Sequence, residues 1–258
     1  MKRLQLLATV ICLFGAQAEP ARTPRIINGQ IAPNVGYNAY VLYSTETYQG
    51  FFGGGTIISN RHVLTSARII RGYVQWDIGV GSNVFVRLTI LKSKTATSHP
   101  QFDPNTAAND IGIITLPESL VFTSNIYPVA LPDLTTDRTN LFPFENEEGT
   151  IVGFGYTSGI STDRSDLLQQ SFQRVTADAV CEGLYQTTLA QHFCAKDIVQ
   201  LSNMCIGDVG VGFVTYVRGR PTVTGITSYV REICGTTSPT GFTRVQYYRD
   251  WIRTVTQL

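Results

Sequence analysis

Short runs rich in Val, Ile, Thr and Tyr, each closed by Gly, Pro, Asn or Asp, recur along most of the chain and restrict it to a β-rich architecture. Tyr40–Tyr43, Thr56–Ile58, His62–Thr65, Ile111–Leu116, Thr150–Phe154, Val211–Val217 and Thr222–Thr227 are examples. β-Branched and aromatic side chains suit a pleated, half-buried surface, and the punctuating residues supply turn geometry. Many short strands in succession predict barrels or sandwiches. The C-terminus breaks the pattern. Val245, Tyr248, Trp251, Ile252 and Val255 recur at helical spacing, which predicts a closing amphipathic helix over 246–256. The Pro- and Asp-rich stretch from Leu131 to Arg138 is the best break between two units.

The first residues read as targeting rather than structure. Lys2 and Arg3 precede an apolar run, Leu4 to Ala16, and Ala16-Gln17-Ala18 supplies small residues at cleavage spacing, so 1–18 is expected to be a signal peptide. A buried N-terminal helix is the alternative. With 43% hydrophobic and 15% charged residues in 258, the chain is too apolar for disorder. Residues 1–25 hold four basic residues and one acidic one. Of 20 basic and 19 acidic residues in all, 16 and 18 remain beyond them, a net charge of −2. No basic block survives, which excludes nucleic acid and membrane surfaces as expected partners. Four cysteines follow Cys12, namely Cys181, Cys194, Cys205 and Cys234; in an oxidising compartment they suggest two disulfides, with three pairings open. A metal site is not expected, because there is no C-x-x-C and His62, His99 and His192 are scattered. No cofactor motif and no Asn-x-Ser/Thr sequon was found.

Several motifs carry a family resemblance. Arg25-Ile26-Ile27-Asn28-Gly29, Gly53-Gly54-Gly55-Thr56-Ile57-Ile58-Ser59 with Val63-Leu64-Thr65-Ser66-Ala67, Asn109-Asp110-Ile111-Gly112-Ile113-Ile114, Pro128-Val129-Ala130-Leu131-Pro132, Gly153-Phe154-Gly155, Cys205-Ile206-Gly207-Asp208-Val209-Gly210 and Gly241-Phe242-Thr243-Arg244-Val245 occur in order. From Arg25 onward the chain resembles the chymotrypsin-like (trypsin-fold) serine proteases. The resemblance implies an all-β fold of two six-stranded antiparallel barrels, the first over about 26–132 and the second over about 139–245, followed by the C-terminal helix. It also implies a short pro-segment, 19–25, removed by cleavage after Arg25. The new amine of Ile26 would then fold inward onto Asp208, which is expected to stay exposed or mobile until it arrives. The implied disulfides are Cys181 with Cys194 and Cys205 with Cys234.

The departures decide the function expected. In the slot of the catalytic histidine stands Arg68, and in that of the nucleophilic serine stands Val209; only Asp110 of the triad remains. A hydroxyl must attack the scissile carbonyl, and a base near neutral pKa must take its proton. Val209 has no nucleophilic atom, and a guanidinium with a pKa above ~12 accepts no proton. Loss of the serine alone costs on the order of 10⁶ in kcat in one well-studied triad enzyme. Asp110 is therefore expected to form a buried ion pair with Arg68, the alternative being an Arg68 bent into solvent. The substrate-pocket positions are also altered: Asn203 lies where the family sets specificity, and Val230 in Ser228-Tyr229-Val230 stands where Gly is frequent. His62 is expected to be half-buried scaffold and Ser228 merely polar. The family bridge beside the catalytic histidine would need cysteines at Gly53 and Ile69, so packing around Ile69-Ile70 must replace it. The expected function is that of a secreted, monomeric, non-catalytic homologue that binds an active protease, its substrate or another extracellular protein, as regulator, cofactor or decoy. Competing readings are an active endopeptidase, disfavoured by Arg68 and Val209, and a cationic antimicrobial or glycan-binding homologue, disfavoured by the charge.

Overall fold

A computed structural model describes residues 30–47, 49–156, 164–185, 190–199, 204–229 and 238–258. The expected signal peptide and pro-segment, with Arg25 and Ile26, lie outside the described residues, as do Asn203, Val230 and Cys234. Two curled antiparallel sheets make up the fold. The first holds β2 (Asn38–Ser44), β3 (Gly50–Ile57), β4 (His62–Thr65), β5 (Gln75–Val80), β6 (Thr89–Ser93), β7 (Thr95–Ser98) and β8 (Gly112–Thr115), in the order β6-β5-β2-β3-β4-β8-β7. Only Lys94 separates β6 from β7, so the two act as one bent strand and six strands encircle the barrel.

The second sheet holds β9 (Glu148–Gly153), β10 (Gln169–Val175), β11 (His192–Asp197), β12 (Gly212–Val217), β13 (Arg220–Tyr229) and β14 (Thr240–Arg244). Because β9 pairs with both β12 and β10, this six-stranded barrel is closed and has no free edge between them. One further strand, β1 (Gln30–Ile31), pairs with Gln170 and Gln169 of β10. This strand joins the second sheet although it lies within 26–132, the stretch expected to form the first barrel. A two-residue strand carries no alternation that a sequence could reveal.

Alternation along the strands fills each barrel. Val41, Ile57, Val63, Ile78 and Ile114 meet inside the first, joined by Ile69 and Ile70. Ile69 lies against the Cα of Gly53, where an added Cβ would be 3.5 Å from its Cγ2, so an apolar contact occupies the place of the absent bridge. Phe193, Phe213 and Phe242 form the centre of the second barrel, with ring centroids 5.1–5.3 Å apart. Each such fully buried ring contributes about 1.5–3 kcal/mol. The helix expected over 246–256 begins as a 3-10 turn, Val245–Tyr248, before α-helix Arg249–Thr256. Val245 and Tyr248, three apart, fit that tighter winding. With Ile252 they cover a core shared with Leu64, Ile111, Val223 and Ile226. A short helix that the sequence did not announce, Asp178–Tyr185, brings Cys181 into a disulfide with Cys194 of β11. Cys205 is also disulfide-bonded.

Candidate functional site

Asp110 lies two residues before β8 and its side chain is 0% exposed. Three short hydrogen bonds surround it. Ser66 Oγ donates to Oδ1 at 2.6 Å, the backbone N–H of Arg68 donates to Oδ1 at 3.0 Å, and Ser228 Oγ donates to Oδ2 at 2.6 Å. Ser66 also caps the 3-10 turn Ala67–Ile69, accepting from the same Arg68 N–H, so one local turn fixes the arginine and the carboxylate together. Burial pushes the Asp110 pKa upward, opposed by the two serines and by Arg68.

The Arg68 side chain leaves this turn across the cleft. Its Nε lies 3.5 Å from Asp110 Oδ2, and its Nη2 donates to the carbonyl of Pro104 at 3.1 Å. The guanidinium carbon lies over the rings of Phe102 and Tyr229, 5.9 and 5.6 Å from their centroids. Nε is buried and its contact with Asp110 is an ion pair without hydrogen-bond geometry. The side chain as a whole is 33% exposed. The expected pairing of Arg68 with Asp110 is present; a fully buried arginine is not.

Val209 sits on the turn before β12. Its side chain packs against the first-barrel core, and its carbonyl accepts from Gly54 N–H of β3 at 2.8 Å. The next residue, Gly210, donates to the carbonyl of Thr227 in β13 at 2.8 Å. Gly210 has φ +90, and a Cβ there would collide with Gly54 O and Thr65 Oγ1.

Asp208 corrects another expectation. It is 0% exposed rather than open or loose. Its Oδ1 accepts from Gly155 N–H at 3.0 Å and its Oδ2 from Cys205 N–H at 3.1 Å. Side chains at residues 153 or 155 would occupy the space of this carboxylate, so Gly153 and Gly155 create its chamber. Among the described residues no cation pairs with it, and burial pushes its pKa up to about 7. Two backbone donors, rather than exposure of the loop, offset part of the cost of burial.

The histidines take other places. His62 Nδ1 bonds Ser59 Oγ at 2.9 Å and is half-buried, as expected of scaffold. His99 packs on Tyr248 and Trp251. His192 Nε2 lies 3.0 Å from the Ala107 carbonyl, and burial pushes its pKa down to about 4. None of them bonds Asp110. Ser228 is not merely polar, since it anchors Asp110; its position at the end of β13 offered no sign of this. Among the described residues no cluster of three His, Cys, Asp or Glu could hold a metal, and no helix is long and apolar enough to cross a membrane.

This arrangement holds a carboxylate and a guanidinium without a hydroxyl nucleophile at Val209 or a neutral base at Arg68. Comparisons with known proteins place it in context. The sequence model of the family described as Trypsin matches residues 26–252. The collagenase of Hypoderma lineatum is 29% identical over 98% of this chain and 97% of its own length. The solved structure of HL collagenase superposes with a TM-score of 0.79 at 28% identity, covering 90% of this chain and 99% of that one. A protein of Anopheles gambiae named inactive CLIP domain-containing serine protease A8 is 26% identical over 82% of this chain and 61% of its own length.

Proposed function

The chain belongs to the trypsin family of serine endopeptidases, and we propose that it is a secreted member without peptidase activity that works by binding. Its partner is an extracellular protein, either an active protease or the substrate of one. The observation that carries this reading is the pairing of Arg68 with Asp110. In the triad, the carboxylate orients a histidine that takes the proton of a serine. Here the carboxylate faces a permanent cation, and Val209 offers only carbon to a substrate. A relative that bears the word inactive in its name is consistent with such a member.

A fluorophosphonate probe tests the reading, because it labels activated serines. The protein cleaved after Arg25 should remain unlabelled under conditions in which trypsin is labelled to completion. Labelling that is blocked by a peptide substrate would overturn it. Affinity capture from secretions, with the same cleaved protein as bait, should recover a protease or a protease substrate.

A further inference from the structure

The turn that carries Val209 holds donors that nothing in the protein uses. Asp208 N–H donates to the carbonyl of Cys205 at 3.0 Å, and Gly210 N–H to that of Thr227 at 2.8 Å. The amides on either side of Asp208, those of Gly207 and Val209, bond no acceptor among the described residues. Gly207 is buried and has φ +95, and Val209 is half-buried. Recessed amides are nearly always paired, so an unpaired couple on one turn marks a place for an acceptor from outside.

Arg68 brings another donor to the same cleft. Its Nε faces Asp110 and its Nη2 serves the Pro104 carbonyl, but Nη1 bonds no protein group among the described residues. The turns bearing Arg68 and Val209 are packed together. A Cβ added at Gly53 would lie 2.7 Å from Val209 O and 3.5 Å from Cγ2 of Ile69, the neighbour of Arg68, and one at Gly210 would lie 3.3 Å from Ile69 Cδ1. Thr227, which holds Gly210, is two residues before Tyr229, over whose ring the guanidinium carbon lies. Backbone amides and a guanidinium left unspent on adjoining turns form an anion site.

Charge and shape narrow the anion. Asp110 stands 3.5 Å from the guanidinium, so the site accommodates a single negative charge and opposes a dianion such as sulfate. A planar carboxylate can divide its two oxygens between the amide pair and the guanidinium. The carbon of Val209 and the ring of Tyr229 suit a carboxylate borne by an apolar residue. The source of that carboxylate rests on the reading above, in which the partner is a protease or its substrate: hydrolysis of a peptide bond creates a new chain end. A chain end also enters a recess such as that of Gly207 without having to run on past it. We propose that the cleft is a receptor for the C-terminal carboxylate of a peptide, one oxygen accepting from the N–H groups of Gly207 and Val209 and the other from Arg68 Nη1.

Fluorescein-labelled Ala-Ala-Ala-Phe with a free carboxylate provides the probe, with its C-terminal amide as control. Anisotropy is followed as the protein cleaved after Arg25 is added. The acid should bind saturably and at least about tenfold more tightly than the amide. Acetate should compete better than sulfate at equal ionic strength. Arg68→Gln, which removes the charge, should weaken binding about tenfold while its circular dichroism matches the parent. In amide-resolved NMR the Gly207 and Val209 N–H resonances should move with the acid and stay with the amide, which binding elsewhere would not produce. Equal binding of acid and amide, no saturable binding, unmoved Gly207 and Val209 resonances, stronger competition by sulfate, or an unchanged Arg68→Gln affinity would overturn the proposal. So would an amidated Ala-Ala-Ala-Asp that binds as tightly as the acid, because a side chain would then serve as well as a chain end. Fluorophosphonate labelling reports on catalysis alone, so that reading and this one fail in separate measurements.

Discussion

Arg68 touches Asp110 twice, through a backbone N–H 3.0 Å from Oδ1 and through a side-chain Nε 3.5 Å from Oδ2. Only the second contact depends on residue 68 being arginine. The carboxylate keeps Ser66, Ser228 and the backbone amide whatever the side chain.

The two partners should therefore respond unequally to truncation. Arg68→Ala removes a guanidinium that is one-third exposed and screened by water, and should lower the unfolding free energy by only about 1 kcal/mol. Asp110→Ala strands two serine hydroxyls in the interior and leaves Arg68 without its carboxylate, and should cost about 3 kcal/mol. Urea denaturation of both variants measures the difference; equal losses would contradict this account of the site.

Restoring one catalytic residue should not restore turnover. Val209→Ser supplies a hydroxyl without a base, and Arg68→His supplies a base without a nucleophile. Hydrolysis of a chromogenic peptide by either variant should equal the parent rate.

Asp208 makes a pH-dependent contribution whose sign follows from burial. Its folded pKa is raised from 3.8 to about 7, so the folded chain binds the extra proton and stability falls as pH rises between those values. His192, lowered from 6.5 to about 4, acts oppositely, with stability lost as pH falls through that window. In the parent the two slopes oppose each other, and Asp208→Asn removes the falling one while the rising slope of His192 stays. The variant's advantage in the uncleaved protein should grow to about 4 kcal/mol between pH 4 and 7. Denaturation at several pH values checks this, and a constant offset would refute it.

Cleavage after Arg25 should change that balance. An Ile26 ammonium beside Asp208 would favour the charged carboxylate and lower its pKa. The melting temperature at pH 8 should rise on cleavage in the parent and stay level in Asp208→Asn. Partner affinity should follow the same pattern.

Legibility in the sequence varied with the kind of signal. Strands such as His62–Thr65 and Val211–Val217 emerged because β-branched runs end at turn residues, and β4 has the bounds expected. The segments bearing Arg68 and Asp110 were readable because their flanking motifs are dense. Ser66 and Ser228 were not, since a serine reads as polar until a partner distant in the chain is placed beside it. Asp208 misled for a related reason: its cost of burial was plain, but the donors that meet it come from Gly155 and Cys205 backbone. Backbone donors have no residue signature.

The turn at Val209 and Gly210 has a consequence for how such a chain changes over time. Its two backbone hydrogen bonds rivet β3 of one barrel to β13 of the other. Neither bond uses the side chain of residue 209. Gly210, by contrast, has no room for any substituent. Mechanical duty and chemical duty are thus carried by different atoms of the same turn. The joint can stay under strict selection while the position that would hold a nucleophile drifts, so catalysis can vanish without loosening the architecture that housed it.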